Sequence, residues 1–285
     1  MRWEGRGESS NVEDRRGVGG GGMRMGLPVG GGIGGLVLLL IFSALTGQSP
    51  LDLIGGSSDP TSYEPGGTAS EPATDPQTRF IRVVLKDTED TWNAVFRDHG
   101  NVYEPPTLVL FSEVTSTACG LGQSAMGPFY CPGDRKVYLD TSFFEELARR
   151  FGAPGDFAQA YVVAHEVGHH VQNLLGVSEQ VAGARQRTSA REGNALSVRL
   201  ELQADCYAGV WGHYAAQHDL LDPGDAEEGL RAAASIGDDR LQRQAQGRVV
   251  PESFTHGSSE QRVSWLRRGL ENGRIESCDT FSGNE

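Results

Sequence analysis

The sequence predicts an α+β domain preceded by a single membrane-spanning helix. Three observations predict it. An uncharged, apolar run from Leu27 to Leu45 comes close to the ~20 residues that a bilayer-spanning helix needs. Two short runs of β type, residues 107–112 and 136–140, lie in the first half of the remaining chain. Beyond Asp156 the apolar spacing is mainly helical, with polar breaks. A chain of 285 residues is enough for one sizeable domain and some additional material. Its net charge of -13 argues against a nucleic-acid partner, because phosphate binding needs a basic surface.

Residues 1–25 are polar and Gly-rich, contain Arg15, Arg16 and Arg24, and lack hydrophobic periodicity, so they read as a disordered leader. The membrane helix is placed at 26–46. Arginines precede it while Asp52 and Asp59 follow, so the positive-inside rule puts the N-terminus in the cytoplasm and the domain outside the cell membrane. A cleavable signal peptide, with Ser43 to Gly47 as a weak cleavage site, is the competing reading, and a buried core helix is a third. Residues 47–77, rich in Ser, Pro, Gly, Asp and Thr, form a flexible linker.

The globular domain is assigned to 78–285. Phe80, Val83, Val84, Trp92, Val95 and Phe96 give Arg79 to His99 a helical face, and residues 141–151 form a short amphipathic helix. Four cysteines permit two disulfides outside a reducing compartment. Cys119 and Cys131 bracket a Gly/Pro-rich stretch that reads as a closed loop, which leaves Cys206 and Cys278 as the second pair. Four buried free thiols are the alternative.

The chemistry starts on a helix that Asp156 can cap and Gly176 can end. It carries His165-Glu166-Val167-Gly168-His169. Residues four apart share a helix face, so the two imidazoles can bind one metal ion, and Glu166 stands beside them as a general base. A third protein ligand would leave one coordination position open. Glu201 and Asp205, also four apart, lie about 30 residues further on, on a second helical stretch. Glu201 is taken as that ligand and Asp205 as the acceptor for a ligand histidine N–H, with the swapped roles open. Two His and one carboxylate suit zinc, one ion per chain, although another divalent ion is compatible.

These residues resemble the bacterial family named "putative neutral zinc metallopeptidase", which has an N-terminal membrane segment and an outward catalytic domain. The matching stretches begin at Cys131-Pro-Gly-Asp-Arg-Lys-Val-Tyr-Leu-Asp, Val163-Ala-His-Glu-Val-Gly-His-His, Glu201-Leu-Gln-Ala-Asp-Cys-Tyr-Ala-Gly and Ser253-Phe-Thr-His-Gly-Ser-Ser-Glu-Gln-Arg-Val. The chain also looks like a distant relative of the gluzincin peptidases. The resemblance implies a zincin-like fold, with a small sheet packed on active-site helices and an edge strand beside a peptide substrate. Lys136 to Asp140 is the candidate for that strand.

On this reading Glu166 takes the proton of the attacking water and passes it to the leaving amine. His256 is the candidate donor to the developing oxyanion, and Arg262 orients it or pairs with Asp205. His170 points about 100° away from His169 and is read as packing or as support for the ligands. His213 and His218 lack a partner at ligand spacing, nothing singles out Tyr138, Tyr161 or Tyr207, and Trp211 and Trp265 are read as core. Two rivals share these residues: a zinc hydrolase of a non-peptide amide or ester, and a membrane-tethered binding protein with structural zinc. An adjacent Glu166 has no use in the latter.

Overall fold

The computed structural model describes residues 1–17 and 75–282. Its helices follow local signals. Helix α1 (Pro76–Asp98) starts at the N-cap Asp75, whose side chain accepts from the Thr78 N–H, with proline in the first turn. It buries Phe80, Ile81, Val84, Leu85 and Trp92. Strand β2 (Thr107–Phe111) pairs in parallel with β6 (Lys136–Asp140), and Leu108, Leu110, Val137 and Leu139 join α1 in the main core. Val109, Phe111 and Tyr138 alternate to the opposite face and pack with Phe129 and Cys131. Both faces are covered, so β2 is a continuous apolar run.

The sheet order is β1-β2-β6-β5, where β1 is Val12–Asp14 and β5 is Phe129–Cys131. A separate hairpin is formed by β3 (Val114–Thr117) and β4 (Gly120–Gln123). The disulfide Cys119–Cys131 ties this hairpin to β5. Beyond the short α2 (Ser142–Arg149) the chain is helical: α3 (Asp156–Leu174), α4 (Val177–Arg185), α5 (Ala190–Gln217), α6 (Asp225–Ser235), α7 (Asp238–Gln246) and α8 (Ser259–Asn272). Helices α5 and α8 both open with a capping box, Ser189/Glu192 and Ser258/Gln261. For α3 the N-cap is Gly155, so Asp156 lies inside the first turn and not at the cap.

Three expectations need correction. Lys136 to Asp140 is not an edge strand: β6 lies between β2 and β5, which leaves β5 at that edge. Only three residues long, β5 is too short for its pattern to stand out, and its antiparallel pairing with Lys136–Tyr138 supplies what the pattern lacks. The domain also does not begin near Thr78, and its leader is not disordered over residues 1–17. Strand β1 pairs in parallel with β2, Trp3 packs edge-on against Phe80, and Ser9 and Asn11 donate to the buried Glu89. Main-chain pairing needs no apolar periodicity, and the polar side chains find partners in the domain. The Arg15 hydrogen bond outweighs burial and, with Lys136, holds the Glu13 carboxyl at about 2. Finally, a cytoplasmic N-terminus with the domain outside conflicts with this pairing, because hydrogen-bonded strands share a compartment. The predicted span at 26–46 lies outside the described residues, and no described helix is long and apolar enough to cross a membrane.

Helix α8 lies along α5 at backbone distance. A Cβ at Gly269 would collide with the Cys206 carbonyl oxygen and lie 2.7 Å from the Val210 nitrogen, and backbone cannot yield as a flexible side chain can. Gly269→Ala should therefore destabilise the protein by about 3 kcal/mol, seen as a lower urea midpoint without loss of cooperativity. An unchanged midpoint would show that the two helices can separate freely.

Candidate metal centre

Helices α3 and α5 supply the two halves of the site. Between Glu166 and His169, Gly168 faces α5 so closely that a Cβ there would be 2.9 Å from the Ala204 carbonyl oxygen. This approach brings His165, His169 and Glu201 together. One ligand atom from each lies within 4.8 Å of the others. His165 Nε2 is 3.2 Å from Glu201 Oε2, and His169 Nε2 is 3.5 Å from Glu201 Oε1.

The far nitrogens are occupied too. His165 Nδ1 lies 2.9 Å from Asp205 Oδ1, and His169 Nδ1 lies 2.9 Å from Gln172 Oε1. Each contact favours a proton on Nδ1 and turns Nε2 towards Glu201. Two imidazole nitrogens and a carboxylate form a donor set that fits a zinc ion.

Asp205 is fully buried. Arg262 grips it with two bonds, Nε to Oδ2 at 2.8 Å and Nη2 to Oδ1 at 2.9 Å, and Tyr161 donates to Oδ1 at 2.5 Å. Burial alone would raise its pKa, but the charges of Arg262 and His165 hold it at about 2. Burial likewise disfavours the His165 imidazolium, yet Asp205 and Glu201 raise it to about 10. Glu201 is held well below its ordinary value, since His169 and His256 outweigh burial. Glu166 is buried, and burial pushes its carboxyl upward against the two histidines.

Arg262 thus meets Asp205 and does not orient His256. That task falls to Asp238, at the start of α7. Its Oδ2 accepts from the backbone N–H groups of Thr255 and His256 at 2.7 Å and of Gly257 at 3.1 Å, while its Oδ1 lies 3.3 Å from His256 Nδ1. A Cβ at Gly257 would lie 3.2 Å from Leu202, so this loop rests on α5 next to Glu201. Burial lowers the His256 pKa, but Glu201 and Asp238 together raise it. The His256 side chain remains half-exposed.

Other candidates lie elsewhere. His170 bonds the Glu104 carbonyl and Tyr130, fastening α3 to β5. Burial lowers its pKa to about 4. His213 faces the Leu270 carbonyl and His218 lies near Asp87. Trp211 and Trp265 are buried in the core, Tyr138 donates to Asp134, and Tyr207 packs on Trp92. Both disulfides, Cys119–Cys131 and Cys206–Cys278, are formed. Sequence reasoning misses Gln172 and Asp238. Gln172 could be found from its place three residues after His169, on the same helix face.

The family model described as "Putative neutral zinc metallopeptidase" matches residues 1–281. The chain belongs to this family. Among its relatives, "Uncharacterized protein YpfJ" of Escherichia coli (strain K12) is 51% identical over 285 residues, 99% of each chain. "Uncharacterized protein Mb2605" of Mycobacterium bovis is 45% identical over 215 residues, 72% of each chain. "Uncharacterized protein Rv2575" of Mycobacterium tuberculosis (strain H37Rv) matches to the same extent, with 45% identity over 215 residues. No solved structure matches the chain.

Replacing Asp205 by Asn leaves the Arg262 charge unpaired in the interior, which should cost about 3–5 kcal/mol in the metal-free protein. The pH dependence should change with it. A carboxyl held below its unfolded value of ~3.9 stabilises the fold above that pH. This contribution disappears as pH falls through about 2. Melting curves between neutral pH and strong acid should show a shallower acid decline in Asp205→Asn than in the parent; parallel declines would refute the assignment.

Proposed function

We propose that this protein is a zinc-dependent peptidase, with an endopeptidase action on peptide bonds. The observation that carries the reading is the pair of histidines held by their Nδ1 atoms so that both Nε2 atoms face Glu201, with Glu166 buried alongside. His165, His169 and Glu201 would hold the ion, which when bound supplies Lewis-acid polarisation and a nucleophilic water near neutral pH.

The chain's own residues do the rest. Glu166 accepts the proton of the attacking water and delivers it to the leaving amine nitrogen, so one carboxyl serves as base and then as acid. Burial raises its pKa, which favours its keeping the proton between the two steps. His256, held from Nδ1 by Asp238, donates from its other ring nitrogen to the oxygen on which negative charge develops. Asp205 and Arg262 hold His165 in its tautomer without touching substrate. The family's name supports peptide as the substrate class, and the two disulfides support an oxidising compartment as the place of action.

Cleavage of an unstructured protein by the zinc-loaded chain tests this directly. Glu166→Gln should retain one zinc per chain and lose activity by about 10²–10⁴-fold. His256→Ala should lower kcat by about 10²-fold, with KM nearly unchanged. Full activity of Glu166→Gln would sink the mechanism, whereas bound zinc with no turnover in the parent would point to a structural metal.

A further inference from the structure

The two histidines are held by different chemistry. His165 rests on a charged carboxylate, whereas His169 rests on an uncharged amide, and from that amide a chain of hydrogen bonds runs away from the site. Gln172, fully buried, donates from Nε2 to the Leu200 carbonyl at 2.6 Å and to Gln203 Oε1 at 3.1 Å. Gln203, also buried, donates to the Cys278 carbonyl at 3.0 Å. Cys278 is bonded to Cys206, which follows Asp205 on α5.

A glutamine amide can face a histidine with either end, and the end it presents selects the tautomer. Here neither amide is free to turn. A backbone carbonyl only accepts, so the Cys278 oxygen requires the NH₂ of Gln203 and leaves Gln203 Oε1 facing Gln172. Leu200 and Gln203 then both require donors, which uses both hydrogens of the Gln172 NH₂. Its oxygen is left for His169, whose Nδ1 must carry the proton. Were Gln172 to turn, His169 would accept at Nδ1 and carry its proton on Nε2, where the metal binds.

We propose that Gln172 and Gln203 are positioning residues for His169, and that the Cys206–Cys278 bridge anchors them, so that metal affinity depends on this disulfide. The inference rests on the metal reading given above. With the bridge absent, the Cys278 carbonyl loses its covalent hold beside Gln203. Gln203 can then rotate, and Gln172 loses the contact that fixes its orientation.

The experiment measures zinc affinity of the full chain by competition with a chromophoric chelator, together with the visible spectrum of the cobalt-substituted protein. Gln172→Met and Gln203→Met should each weaken zinc binding about 10- to 100-fold and alter the cobalt spectrum. The double variant Cys206→Ala/Cys278→Ala acts at the far end of the same chain and should weaken binding about 10-fold. Thr280→Val is the control: it removes a bond from the same C-terminal segment to the Arg199 carbonyl without touching either amide, and should keep the parental affinity. Circular dichroism of the metal-free proteins identifies any variant that fails to fold, and the cysteine variant tests the link if Gln203→Met does so. Parental affinity in folded Gln172→Met overturns the proposal, and parental affinity in both Gln203→Met and the cysteine variant overturns the anchoring. A parent chain that takes up no zinc overturns the metal reading itself, before any variant is compared.

Discussion

A full negative charge in the dry interior governs the architecture of this protein. Asp205 has no access to water, so every bond its carboxylate needs must come from neighbouring side chains. Tyr161 and His165 supply theirs from α3, and Arg262 supplies two from α8. Three helices must therefore meet at one point. For α8 the meeting requires glycine at position 269, and for α3 it requires Gly168, since a side chain at either would strike the backbone of α5. His165, His169 and Glu201 are thus placed by helix packing whose closeness the buried charge makes necessary.

The two sides of the site are built differently. On the helical side His165, Glu201 and Asp205 lie on long helices that meet backbone against backbone. On the sheet side a three-residue edge strand is held by its disulfide to the hairpin and by Tyr130, which meets His170 and Asn173 of α3. His170 stays uncharged because burial lowers its pKa, which suits a residue that links two elements and leaves the charge balance of the centre undisturbed.

Legibility in the sequence follows the range of the interaction. The pairs His165/His169 and Glu201/Asp205 are visible because a spacing of four on a helix is a local geometric fact. The joining of the two pairs is suggested by similar logic and comes from the contact at Gly168. Gln172 escapes because an amide on a helix resembles surface until its burial is known. Asp238 escapes because its partner loop lies seventeen to nineteen residues away, and no periodicity links them. Strand β1 escapes because main-chain hydrogen bonds leave no mark on side-chain pattern. Helices α1 and α3 are read to within about three residues and β6 to its ends, while α5 is recognised only as a helical stretch around Glu201 and Asp205. The role of β6 at an edge is misjudged because β5 is too short to register.

The ion pair between Arg16 and Asp75, 3.2 Å apart, has a meaning in polymer terms. The contact joins positions 59 residues apart in sequence, near the end of one described segment and at the start of the next. Bringing such a pair together costs the unfolded chain closure entropy that rises only slowly with separation, by about 0.6 kcal/mol per doubling. Strand β1 and the first turn of α1 are accordingly fastened to each other by their own side chains, Arg16 bonding Asp14, Asp75 and Thr78 alike.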